Sequence, residues 1–74
     1  MNRTDSRLTA LQEVDQGRIS YEQLTGKFRD GDEEVSGARR RTFAELKAAG
    51  AIEGGKPVTL TEGGRVLLKD WGVD

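Results

Sequence analysis

Val35-Ser-Gly-Ala-Arg-Arg-Arg-Thr-Phe-Ala-Glu-Leu-Lys-Ala-Ala-Gly-Ala-Ile-Glu53 decides how the rest of the chain is read. It predicts a helix that carries three consecutive arginines near its start, closes at Gly50 and gives way to a short apolar step. Lys47 falls in the last turn, where a cation complements the negative end of the helix, and Gly50 can take the left-handed conformation that ends it. The start lies between Asp32 and Ser36, since either side chain can cap it and the acidic pair Glu33-Glu34 suits a first turn. Val35, Ala38, Thr42, Leu46 and Ala49 share one stripe at helical spacing, with Phe43 and the stem of Arg39 at its border. The opposite surface then displays Ser36, Gly37, Arg40, Arg41, Ala44 and Lys47. Small residues between cations let a helix approach an anionic groove closely, whereas a merely solvated face more often interleaves long side chains of both signs.

Downstream, Ala51-Ile-Glu53, Gly-Gly-Lys-Pro57 and Val-Thr-Leu-Thr61 predict two brief strands joined by a Gly/Pro turn, with Val58 and Leu60 on one face. Thr61 and Glu62 open a last helix in which Gly64, Leu67, Leu68 and Trp71 share a side and Gly72 ends the turn. Upstream, Thr4, Asp5 or Ser6 can cap a first helix with Leu8, Leu11 and Val14 on one stripe and Gly17 at its end. Between them, Ser20 followed three residues later by Gln23 has the spacing of a capping box. Ile19 before the cap and Leu24 at the fourth helical position complete a hydrophobic staple. These signals predict a second helix beginning at Tyr21, with Tyr21, Leu24 and Phe28 on one side and Arg29-Asp-Gly-Asp32 as the break. The expected order is three helices, two strands and a helix.

The 74 residues bound this to one domain, 1–74, with an ordered core over about 6–71. A single core of that size is only marginally sufficient, which favours association in pairs. The chain has no Cys and no His. That removes disulfides, thiol chemistry, ordinary zinc sites and imidazole acid–base work. No apolar run approaches the roughly 20 residues of a membrane span, and the polar start lacks the apolar segment of a secretory signal. The expectation is a cytoplasmic protein without membrane contact. Net charge is −1, but residues 1–35 carry five basic and eight acidic side chains while residues 36–56 carry five basic and two acidic. Positive charge is concentrated in the arginine helix and the loop after it.

The pieces together resemble a winged helix-turn-helix domain. Glu45-Leu-Lys-Ala-Ala-Gly-Ala-Ile-Glu53 is similar to the end of recognition helices in bacterial winged-helix regulators. Leu60-Thr-Glu-Gly-Gly-Arg-Val-Leu-Leu68 is similar to their passage from the second wing strand into the next helix. With Ile19-Ser-Tyr-Glu-Gln-Leu24 as second helix, the resemblance covers roughly residues 6–71. It implies an α+β fold with a three-helix core, a two-stranded β-wing and a C-terminal helix. The chain lacks the long flanking helices with which larger regulators dimerise and bind effectors, so no small-molecule effector and no cofactor are expected. The family's mechanism, a third helix in the major groove and a wing on backbone or minor groove, implies a partner and a site. The partner is double-stranded DNA. Arg39, Arg40 and Arg41 would contact phosphates and base edges, Ser36 and Lys47 the periphery, Lys56 the wing side, and Ser20 and Tyr21 a phosphate at the start of the second helix. The implied role is a transcriptional repressor or regulator, or a phage recombination accessory factor, acting as a homodimer or cooperatively.

Competing readings use the same residues. Glu33, Glu34 and Glu45 stand close enough in sequence to neutralise the arginines, and the overall acidic balance suits a protein-interaction module that keeps the fold without binding DNA. Gly50-Ala-Ile-Glu-Gly-Gly-Lys-Pro57 matches a phosphate-binding loop except that Pro57 stands where a hydroxyl must ligate magnesium. Asp30-Gly-Asp-Glu-Glu34 begins like a calcium loop, but Val35 replaces its glycine and Arg41 its bidentate glutamate. No two carboxylates are placed in a common apolar pocket, so no enzyme is expected and no metal site is assigned.

Overall fold

Thr4 caps the first helix, which in this computed structural model runs Asp5–Asp15 (α1). The structure describes residues 2–35 and 37–72, which leaves Ser36 outside the described residues. Thr4 is extended, and its hydroxyl accepts from the Arg7 amide at 3.1 Å, satisfying one of the donors a helix start leaves open. Ala10, Leu11 and Val14 are buried on the inner side of α1, and Gly17 turns the chain out at φ +75°.

The next segment departs from the sequence expectation. No helix begins at Tyr21. Instead, β1 (Ile19–Glu22), β2 (Lys27–Asp30) and β3 (Glu33–Glu34) form an antiparallel sheet in the order β1-β2-β3. Ser20 and Gln23 have capping-box spacing, but Ile19-Ser-Tyr-Glu22 and Lys27-Phe-Arg-Asp30 also alternate with period two, and the strand period wins. Gly26 supplies the physical reason. Inside a helix it would cost about 1 kcal/mol relative to Ala, whereas in the hairpin it sits at φ +70° and donates its N–H to the Glu22 carbonyl at 2.7 Å. The register pairs Tyr21 with Phe28, whose ring centroids lie 4.9 Å apart.

The arginine helix spans Gly37–Ala48 (α2) and buries Phe43 and Leu46. Its inner face is rolled relative to the expected one. Phe43 sits at the centre, stacked on Phe28 at 5.5 Å, while Ala38 and Ala49 are exposed and Thr42 is half-buried. The helix ends as expected: Gly50 is at φ +77°, its N–H bonds the Lys47 carbonyl at 3.1 Å, and the Ala51 N–H reaches back to the Leu46 carbonyl at 2.9 Å. That pair of bonds is a Schellman motif.

β4 (Ile52–Glu53) and β5 (Thr59–Leu60) form the antiparallel ribbon, registered Ile52 to Leu60 and Glu53 to Thr59. The ribbon is stitched to the first sheet, because the Tyr21 N–H donates to the Gly55 carbonyl at 2.9 Å and the Val58 N–H to the Ile19 carbonyl at 2.7 Å. Thr61 caps α3 (Glu62–Asp70) by accepting from the Gly64 amide, and its own hydroxyl donates to the Gly50 carbonyl. Leu67, Leu68 and Trp71 pack from α3 against a core built of Leu11, Val14, Ile19, Phe28, Phe43, Leu46, Ile52 and Val58 among others. The domain is therefore α+β, with three helices and two small antiparallel sheets among the described residues. Two helices do not become three ahead of the ribbon; a hairpin stands where the second was expected.

Gly64 is the tightest point of this packing, since a Cβ there would collide with the Ala51 carbonyl oxygen. Backbone on both sides leaves no side chain to swing away. Gly64→Ala is expected to lower stability by about 1–3 kcal/mol, the usual range for overpacking, read as a fall in the urea midpoint with an unchanged m-value.

Candidate nucleic-acid interface

The roll of α2 sorts its three arginines into two groups. Arg39 points across to α1 and the first sheet, where its guanidinium lies 2.9 Å from a Glu13 carboxylate oxygen and 3.2 Å from one of Asp30. Asp30 is the centre of this cluster. It also accepts from both the Nε and the Nη2 of Arg18, at 2.9 and 3.0 Å, a bidentate arrangement. Hydrogen bonding from Arg18 holds the Asp30 carboxyl below its ordinary pKa against the opposing effect of burial, and Arg39 adds to the lowering. For Arg39, burial pulls the pKa down, but the bonds to Asp30 and Glu13 outweigh it and the net shift is upward. Arg18 is likewise raised by its bond to Asp30. Arg39 is thus spent on joining α1, β2 and α2.

Arg40 and Arg41 are exposed, and among the described residues no carboxylate lies within ion-pair distance of either. Of the three acids expected to compete for them, two are engaged elsewhere, and the third, Glu33, is exposed on β3 without lying within ion-pair distance of either arginine. Glu45 pairs with Arg7 of α1 at 2.9 Å, and Glu34 pairs with Lys27 across the sheet at 3.0 Å. At 100° per residue, Gly37, Arg40, Arg41, Ala44, Lys47 and Ala48 occupy one exposed arc of α2, which holds cations and small residues only. From Arg40 to Lys47 is about 10 Å along the axis.

Lys47 closes this face at the far end. Its Nζ lies 4.1 Å from the centroid of the Tyr21 ring, a cation–π contact that orients the ammonium without neutralising it. The ribbon turn packs against the same pair: a Cβ on Gly54 would stand 2.8 Å from Tyr21 Cδ2 and 3.4 Å from Lys47 Cε. Lys56, exposed on that turn, shares an open cleft of about 510 Å³ with Tyr21, Glu22, Gln23 and Leu24. A shallower groove between Gly26 and Tyr21 on the hairpin side and Ala44, Lys47 and Ala48 on the helix runs alongside.

Of the residues singled out in the sequence, Arg40, Arg41 and Lys47 share a face, and Lys56 is joined to Lys47 through Tyr21. Ser20 and Tyr21 are not at a helix start; they lie within β1, so the helix-terminal phosphate site expected there does not exist. Ser36 lies outside the described residues. The sequence reading missed Asp30 and Glu13 as partners of Arg39, and it missed Leu24, which is completely exposed at the hairpin tip. The signal for Leu24 was present in the alternation on either side of Gln23-Leu-Thr-Gly26. No family model, curated protein or solved structure matches the chain.

The sign of the pH dependence follows from Asp30. A carboxyl whose folded pKa is depressed adds stability that is present above its unfolded value, near 3.8, and fades as pH falls toward the folded one. Asp30→Asn is therefore expected to lower the urea midpoint at pH 7, and the gap between variant and wild type should narrow as unfolding is measured at pH 4 and then pH 3. A constant gap across that range would assign the effect to packing.

Proposed function

We propose that this chain binds double-stranded DNA, with the exposed arc of α2 in the major groove and the β4–β5 turn on the backbone or the neighbouring minor groove. In this reading it is a variant of the winged helix-turn-helix plan in which the β1–β2 hairpin occupies the place of the second helix. The supporting topology is α1 packed on α2, followed by a two-stranded ribbon and a closing helix.

The observation that carries the proposal is the pair Arg40 and Arg41, solvent-facing and free of acids among the described residues. Holding guanidinium groups unpaired on a chain of net charge −1 is not a consequence of composition; Glu45, Asp30, Glu34 and Glu13 are bound by Arg7, Arg18, Lys27 and Arg39. Arginine's fork matches guanine O6 and N7, each good bidentate pair discriminating by about 1–3 kcal/mol, and Ala44 and Ala48 let the helix seat closely. A single module of this kind buries roughly 600–1,000 Å² on DNA, so two copies or adjacent sites suit a repressor or a recombination accessory role. The competing protein-interaction reading draws on Asp32 and Glu33, which are exposed shortly before α2.

Fluorescence anisotropy on a labelled duplex, taken as salt is raised, separates the two. DNA binding through counterion release predicts a linear fall of log K with log salt, and Arg40→Ala with Arg41→Ala should reduce the slope by about 0.9 for each phosphate no longer neutralised. Absence of binding at low salt, or an unchanged slope in the well-folded double variant, sinks the proposal.

A further inference from the structure

Leu24 has no role in the fold. It is completely exposed, flanked by exposed Gln23 and Thr25, at the tip of a hairpin whose turn is already closed by Gly26. Turn tips favour Gly, Asn, Asp, Ser and Pro, each for a backbone reason that leucine does not share. The tip is also held in place. The Tyr21–Phe28 ring pair and the hydrogen bond from Tyr21 to Gly55 fix the strands at its base, and the Thr25 hydroxyl donates to Glu22 at 3.2 Å.

Two cations and one carboxylate border this tip. Lys56 faces it across the cleft, and Lys47 lies at the hairpin's inner side beside Gly26. The carboxylate is Glu22, which lines the same cleft, accepts from the Thr25 hydroxyl and is partly balanced by Arg29 at 4.0 Å. An apolar tip anchored at its base, with Lys56 and Lys47 on either side, suits a polyanion that also offers apolar surface at its stacked base steps.

We propose that the β1–β2 hairpin is a second DNA-contacting element, in which Leu24 enters the minor groove as a wedge against a base step while Lys56 takes a phosphate across the cleft. This rests on α2 being the principal DNA-binding face. The wedge would unstack the step it enters and bend the duplex toward the major groove, where α2 lies. The charge on Lys56 adds affinity without sequence preference, and Leu24 adds a preference for flexible steps such as TA and CA.

The test pairs anisotropy with two reporters of deformation: 2-aminopurine placed at successive steps of the duplex, and end-to-end energy transfer for bending. Wild type is expected to raise 2-aminopurine emission at one step and to shorten the end-to-end distance. Leu24→Ala should abolish both and weaken binding about tenfold or more, as expected when a leucine side chain is no longer buried, with an unchanged salt slope. Leu24→Phe should restore the deformation, and Lys56→Ala should lower the slope by about 0.9 while leaving the deformation in place. Duplex binding with no unstacking or bending, or deformation that survives Leu24→Ala, overturns the wedge and leaves the α2 reading standing. No duplex binding at all overturns both. A Leu24→Ala variant whose only change is weaker self-association in sedimentation assigns the tip to a protein contact and overturns the wedge as well.

Discussion

The stack of Phe28 on Phe43 sets the roll of α2, and the roll sets everything the helix presents. Rotation by one residue would move the buried centre by about 100° and put a different arginine against α1. With Phe43 at the centre, Arg39 is carried inward to Glu13 and Asp30, while Arg40 and Arg41 are carried out. The aromatic pair depends in turn on the hairpin, because Phe28 meets Phe43 from strand β2, whose neighbour β1 places Tyr21 against the same Phe28 ring. The hairpin thus acts on the candidate interface through the core as well as by the direct contact of Tyr21 with Lys47.

Much of this was readable from the chain. Thr4, Thr61, Gly17, Gly50 and Gly72 mark element ends by side-chain capping or left-handed backbone, which are local properties, and α1, α2, the ribbon and α3 fall where those residues put them. Residues 19–34 were not readable in the same way. There Ser20 and Gln23 satisfy a helix start while Ile19, Tyr21 and Phe28 also satisfy a strand, and the choice between them is made by a partner far along the chain, Phe43. The roll of α2 failed for the same reason: Ala38 and Ala49 were as apolar as the pattern required, but nothing packs on them once Phe28 has claimed Phe43. In the candidate site, the grouping of Arg40, Arg41 and Lys47 follows from helical spacing alone, whereas the inward use of Arg39 needed Asp30 to arrive from β2.

The acids of this chain outnumber its bases by one, so any free cation implies that carboxylates are withheld from it. The fold does this by joining elements with cross-element ion pairs. Arg7 to Glu45 links α1 to α2, Arg39 to Glu13 links them again, and Asp30 of β2 is shared by Arg18, just ahead of β1, and Arg39 of α2. Solvent-exposed ion pairs contribute about 0–1 kcal/mol individually, and the bidentate Arg18–Asp30 pair, with its carboxylate largely covered, is the one built to exceed that. Their larger effect is on distribution, since each acid so engaged is one fewer to screen the outer arc of α2. A low net charge and a strongly basic face are therefore compatible in one small domain.

Tyr21 is where these constraints meet. Its backbone amide holds the ribbon turn through Gly55, its ring pairs with Phe28, and its face carries Lys47. Gly54 can have no side chain because the turn closes directly onto that ring. The position of Lys56 relative to α2 is consequently fixed by packing and not by the ribbon alone, whose strands have only two residues each and could not hold a turn rigidly by themselves. A residue whose sequence context suggests a helix-terminal phosphate site is instead the joint that aligns the ribbon, the hairpin and the basic helix. Removal of its ring would leave Arg40, Arg41 and Lys47 together on α2 and take away the packing that holds the ribbon turn, and with it Lys56, beside them.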